Sequence, residues 1–316
     1  MLAVSGCALF FVLAGIAQRL RLNPDDVNTR AFPDVGATLL AVAVTLCAEV
    51  LLLCAFALHD RAVVRGTYRV EDPGALVWPV LRPFCWLVIL PSLAGVAVLA
   101  SRVAGSDGPL RVDQRVDDRL VYRLSPLRPM FGRLVQLGSP TGVAVLCALL
   151  ALGCLARRRV RAAILAAAGP SLAGLLTEYA LKPLIGRHSG HLFAFPSGHT
   201  TGAVAVAVTI TLFLLPAGPF AGLPRWSRLL LAGLAAVLAS FLPLGLIVLR
   251  YHYASDVLAG AAVAVAVILA LALLLDAVAR RSTPPRSTRS QAGQAGLYDR
   301  PAVDAEDLPG DVTRRL

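Results

Sequence analysis

The chain has 316 residues, is 57% hydrophobic, carries a formal net charge of +11 and has a mean hydropathy of +0.71. Soluble domains stay nearer half apolar, so this composition excludes an ordinary soluble protein and points to one that lives among membrane lipids. Its arginines stand in short stretches between apolar runs without aromatic interleaving, which argues against a nucleic-acid partner and fits loops that orient a chain in a bilayer.

A helix needs ~20 apolar residues to cross the hydrocarbon core. Eight stretches are candidates: 2–17, 35–58, 84–100, 141–155, 162–181, 201–217, 229–249 and 257–278. The expected fold class is therefore all-α, a polytopic membrane helical bundle. The first stretch lacks a basic leader and makes a poor signal peptide. Between the third and fourth runs, Leu120, Leu124, Leu127, Phe131 and Leu134 recur at helical spacing, interrupted by Pro126 and Pro129. That region reads either as broken amphipathic helices at the interface or as a polar loop. Arg157, Arg158, Arg159 and Arg161, then Arg225 and Arg228, then Arg280 and Arg281 fall after alternate crossings. The excess of arginine assigns that face to the cytoplasm and puts the segments around 178–202 and 250–256 outside. Arg19 and Arg21 break the rule. Residues 281–316, rich in Ser, Thr, Pro and Arg and then acidic, read as a disordered cytoplasmic tail. All six cysteines lie inside apolar runs and read as small hydrophobes. The strong preference for arginine in an Ala-, Val- and Leu-rich chain suggests a high-GC bacterium.

Four of the five histidines, His188, His191, His199 and His252, fall in two outer segments. Three polar clusters hold the chemistry: EYALKPLIGRHSG from Glu178, FPSGHTTG from Phe195, and LRYHYASD from Leu249. In the second, Pro196 and Gly198 form a turn, and Ser197 or Thr200 can cap the helix that follows. Free N–H groups at that helix start suit a phosphate, with His199 beside it as proton donor. In the third, His252 and Asp256 stand four apart and share a helical face. A carboxylate on one imidazole nitrogen leaves the other as base or nucleophile. The first supplies Lys182, the only lysine in the chain, and Arg187, with Glu178 one turn before the lysine to position it. His191 reads as a loop histidine.

At these residues the sequence resembles the type 2 phosphatidic acid phosphatase and vanadium haloperoxidase superfamily, in its membrane lipid phosphatase branch. That family carries Lys-x6-Arg-Pro, Pro-Ser-Gly-His and Ser-Arg-x5-His-x3-Asp. The second motif is complete at Pro196 to His199, the third keeps His252 and Asp256, and the first keeps Lys182. Two arginines are missing: Leu246, preceded by Gly245, and Ser189, followed by Gly190, stand in their places. Arg250, one helical turn after Leu246, and Arg187, two residues before Ser189, read as substitutes.

The resemblance implies a six-helix phosphatase core at 76–280 with two extra N-terminal helices in 1–75. It also implies a two-step mechanism. His252 attacks phosphorus and forms a phosphohistidine, Asp256 orients and charges its ring, and His199 protonates the leaving oxygen and then activates water. Lys182, Arg187, Arg250, Ser197 and the Gly198 N–H would hold the phosphoryl oxygens. No metal and no cofactor is expected. The implied substrate is a lipid phosphate met at the outer face of a bacterial plasma membrane: polyprenyl diphosphate by preference, or phosphatidic acid or phosphatidylglycerol phosphate. The alternative is a non-catalytic binder of lipid phosphates with an altered oxyanion cage. A transporter is disfavoured, because the charges sit at helix ends and no inverted repeat is visible.

Overall fold

A computed structural model describes residues 74–189, 192–215 and 218–282. The expected spans 2–17 and 35–58, the tail beyond 282 and His191 lie outside the described residues. Within them the protein is a helical bundle. Its elements are α1 (Arg82–Val103), α2 (Arg111–Leu124), α3 (Arg128–Leu134), α4 (Pro140–Ala156), α5 (Val160–Ile185), α6 (Gly198–Leu214), α7 (Arg225–Val248) and α8 (Ala254–Ser282). The contact pattern divides the chain after Ala277, and the described part of the second unit, 278–282, is the end of α8.

The six apolar runs expected from residue 84 onward correspond to α1, α4, α5, α6, α7 and α8. Four of them, α1, α5, α7 and α8, are long and apolar enough to cross a membrane. Helix α6 is apolar but spans 17 residues, and α4 follows the helical stretch 111–138 at a bend of 59°. Helix α6 is the hub: Ala203, Val204, Ala205, Val206, Ala207 and Ile210 are all buried, as expected of a helix apolar all round. Small residues bring its neighbours close. A Cβ on Gly202 would meet Val143 of α4 at 2.8 Å, and one on Gly169 of α5 would meet Ile268 of α8 at 2.7 Å. Trp86, Leu87, Leu90 and Leu93 of α1 stay exposed, an apolar surface suited to lipid. The described cysteines, Cys85, Cys147 and Cys154, are buried and free.

Two helices contain a π turn, Leu176–Leu181 in α5 and Val237–Phe241 in α7. A proline follows each at the second position, Pro183 and Pro243. Proline has no N–H to donate and its ring presses on the carbonyl four residues back, here Tyr179 and Ala239. A widened turn accommodates both effects. In α5 that turn carries Glu178 and delivers Lys182 to the helix end, where Gly186, at φ +67°, closes it.

The stretch between α1 and α4 resolves in favour of the broken-helix reading. Helix α2, a 3-10 turn at Ser125–Leu127 and α3 follow one another, with the interruptions at Pro126 and Pro129. Their apolar side is packed, not immersed: Val116, Leu120, Phe131 and Val135 are buried, and a Cβ on Gly245 of α7 would meet Phe131 at 2.9 Å. This cover sits at the same end of the bundle as the three polar clusters. At the other end Asp276, 1% exposed, accepts the N–H groups of Leu76 and Val77, both at 2.9 Å. Arg161 lies 3.6 Å from it. That carboxylate ties the approach to α1 to the last helix.

Candidate active site

The turn before α6 forms as its residues dictate. Ser197 is the N-cap: its Oγ accepts the Thr200 N–H at 3.4 Å and the Thr200 hydroxyl at 3.1 Å. The residue is fully buried, so its hydroxyl serves the helix from within. The Ser197 N–H donates to the Asp256 carbonyl at 3.0 Å, which stitches the second cluster to the third. Gly260 permits this approach: a Cβ there would meet the Ser197 carbonyl oxygen at 2.6 Å. Glu178 closes the triangle, its carboxylate lying where a side chain on Gly198 would have to go. Glu178 also accepts from Lys182 Nζ at 2.8 Å. Lys182 and His252 each lie within electrostatic reach of His199.

His252 directs Nδ1 at Asp256 Oδ2, 3.7 Å away. That is longer than a hydrogen bond, and Nδ1 is buried without another partner. Catalytic contacts of this kind are often long in the absence of substrate and tighten in the complex. Asp256 is itself fully engaged. Its Oδ2 accepts the Tyr253 N–H at 3.0 Å, and its Oδ1 accepts from Arg187 Nη1 at 2.6 Å.

The two expected substitute arginines are placed differently from expectation. Arg187 is 0% exposed, and its guanidinium turns into the protein. Nη1 donates to Asp256 and to Ser255 Oγ at 2.7 Å, Nη2 to Asp113 Oδ2 at 2.9 Å and to the Gly108 carbonyl at 3.0 Å, and Nε to Gly108 at 3.4 Å. All five of its N–H donors are thereby used, and Tyr253 covers the group with its ring 4.7 Å away. Arg250 does not continue the helix toward His252. Helix α7 ends at Val248, and Arg250 takes a left-handed conformation at φ +60°. The Tyr251 N–H then returns to the Leu246 carbonyl at 2.9 Å, the closure that usually employs glycine. The exposed Arg250 side chain pairs with Asp118 of α2 at 2.9 Å. Neither guanidinium faces the turn at Gly198, and of the three expected cations only Lys182 lies beside it.

Three carboxylates of α2 reach this region, and the sequence reading named none of them. Asp113 Oδ1 accepts the Ser255 N–H at 2.9 Å, and its Oδ2 accepts the Ser255 hydroxyl at 2.8 Å. Asp117 lies beside the Ala254 backbone, and its pKa is pushed up to about 7 by burial and by neighbouring Asp113. Asp118 holds Arg250. Among the described residues no group of three His, Cys, Asp or Glu side chains is arranged to hold a metal ion.

Residues 173–280 match the family model of the PAP2 superfamily. A search of curated proteins finds no match. Among solved structures the chain is similar to the crystal structure of the first transmembrane PAP2 type phosphatidylglycerolphosphate phosphatase from Bacillus subtilis. The TM-score is 0.47 at 20% sequence identity, over 62% of this chain and 98% of that one. The stretch that matches the PAP2 superfamily model contains Lys182, Pro196 to His199, His252 and Asp256.

Proposed function

We propose that this protein is an integral-membrane lipid phosphate phosphatase that works without a metal ion. The observation that carries this reading is the meeting of the three clusters at one end of the bundle. The Ser197 N–H lies on the Asp256 carbonyl at 3.0 Å, Arg187 on the Asp256 carboxylate at 2.6 Å, and Glu178 bridges Lys182 and Gly198. Because Nδ1 of His252 faces Asp256, Nε2 is the nucleophile. Nε2 bonds to phosphorus as the P–O bond to the lipid breaks, and His199 gives its proton to the departing oxygen. Water then attacks the phosphohistidine, His199 takes the proton back, and the N–P bond breaks to release phosphate. Lys182 and the N–H groups opening α6 take the phosphoryl oxygens. Arg187 acts on Asp256 instead of on phosphate.

On this reading the catalytic core is 76–280. The arginines at 157–161, 225–228 and 280–281 assign the opposite end to the cytoplasm, so the site meets head groups at the outer face of a bacterial plasma membrane while the lipid tail stays in the bilayer. Polyprenyl diphosphate is the favoured substrate, since that carrier is released at the outer face. A panel of polyprenyl diphosphate, phosphatidic acid and phosphatidylglycerol phosphate, assayed for phosphate release with chelator present, tests this. Turnover of at least one, abolished in His252→Ala, is expected, and unchanged release in that variant contradicts the mechanism.

One observation favours a second reading, a lipid-phosphate binder without turnover. Both candidate arginines point elsewhere, and Lys182 is already paired with Glu178. That reading requires saturable binding of the same lipids and no phosphate release from any of them.

A further inference from the structure

Helix α2 lies more than a hundred residues from the third cluster in sequence, yet it supplies an acceptor for the start of the helix that carries Asp256. Helix α8 begins at Ala254, and its first N–H groups need acceptors from outside the helix. Asp113 takes the Ser255 N–H at 2.9 Å, and the Asp117 carboxyl lies beside the Ala254 backbone. Anions are favoured at that end by the helix dipole. The two aspartates stand four apart, on the face that also buries Val116 and Leu120.

Asp113 does more than cap. Its Oδ2 holds Arg187 Nη2 at 2.9 Å while the other terminal nitrogen meets Asp256 Oδ1 at 2.6 Å. A guanidinium with a free choice grips a carboxylate with two parallel hydrogen bonds. Here it is stretched between two carboxylates and the Gly108 carbonyl, and it holds Asp256 by one oxygen only. The second oxygen, Oδ2, stays turned to the Tyr253 N–H and to His252 Nδ1.

We propose that Asp113 is a positioning residue: by holding Arg187 it keeps the guanidinium end-on to Asp256, so that Asp256 Oδ2 remains available to orient His252. Helix α2 is thereby a working part of the site as well as its cover. The inference rests on the phosphatase reading for its kinetic consequence, and it is independent of that reading for its effect on the His252 ring.

Two measurements on purified protein in detergent micelles test it. Asp113→Asn is expected to lower kcat by about 10- to 100-fold, the scale of removing a group that orients a reacting one, with KM within about twofold of the parent. In the same variant the His252 imidazole, followed by NMR titration, is expected to titrate at lower pH, because a bidentate Arg187 draws Asp256 Oδ2 away. Asp113→Glu, which retains the charge, should keep the parental titration. Should Asp113→Asn fail to fold, Ser255→Ala, which removes only the hydroxyl bridge, is expected to shift the His252 titration in the same direction by less. An unchanged His252 titration in a folded Asp113→Asn or Ser255→Ala variant overturns the proposal whether or not the protein turns over. Absence of turnover in the parent together with the expected shift defeats the phosphatase reading alone.

Discussion

The two halves of the site are built to different standards. In the half proposed to carry the nucleophile, Asp256, Arg187, Asp113 and Ser255 are buried behind a half-buried His252, and every donor on Arg187 has an acceptor. The phosphate half, Lys182, Glu178 and the start of α6, rests on one ion pair at 2.8 Å whose carboxylate is 45% exposed. On the proposed mechanism, the carboxylate that faces the attacking ring is held in place before substrate arrives, and its 3.7 Å contact with the ring closes in the complex. The cation proposed to meet phosphate is held by a partner that a phosphate dianion can displace. Pre-organisation sits where a small angular error costs most rate, and adaptability sits where the ligand brings its own charge.

This contrast is open to test from both sides. His199→Ala removes the proposed proton donor and is expected to cost on the order of 10²–10⁴ in kcat, read as phosphate release at saturating substrate. A loss under tenfold assigns the proton to another group. Arg187→Ala strands Asp113 and Asp256 as buried uncompensated charges and is expected to destabilise the fold by about 3–5 kcal/mol, seen as a lowered thermal midpoint in detergent. Lys182→Gln, by contrast, should leave the midpoint within a few degrees and mainly raise KM, by roughly 10-fold or more for one charge-assisted hydrogen bond. If the lysine variant were the less stable of the two, the division between a rigid half and an adaptable half would be wrong.

Asp117 gives a smaller, pH-dependent effect. Its pKa is pushed up to about 7 from 3.8, so the folded protein holds a proton that the unfolded chain releases. Its contribution is fully present below the unfolded value and is lost as pH rises through about 7. Thermal midpoints should therefore fall between about pH 4 and 7, and Asp117→Asn should flatten that slope. Arg250→Gly is expected to do least. Glycine suits the φ of +60°, the pair with Asp118 is more than half exposed, and surface pairs contribute ~1 kcal/mol or less. Turnover within about threefold of the parent is expected, and a hundredfold loss would restore Arg250 to the phosphate cage.

The bundle was legible because apolar runs of the right length admit little else, and all six expected spans from residue 84 onward correspond to helices. Pro196 to His199 was legible because a turn and a capped helix start are local events. The misplacement of Arg250 has a local cause as well: extending α7 through Arg250 put the side chain on the His252 face, whereas the chain closes in a left-handed turn two residues past Val248. Asp113 and Asp117 were illegible for the opposite reason. Their partners lie up to 142 residues away, and a stretch reading RVDQRVDDRLVYRL passes for a solvated charged helix. The signal was present in the placement of two acids, four apart, on the face of Val116 and Leu120. An acid inside an apolar stripe needs a buried partner.

The account turns on covalent chemistry at His252. Rapid quenching of turnover with a lipid phosphate carrying a radiolabelled phosphoryl group, followed by separation of protein, tests it directly. The account predicts protein-bound label that is stable in base, lost in acid, located on His252 and absent from His252→Ala. Turnover with no label on the protein, or equal label in His252→Ala, contradicts it.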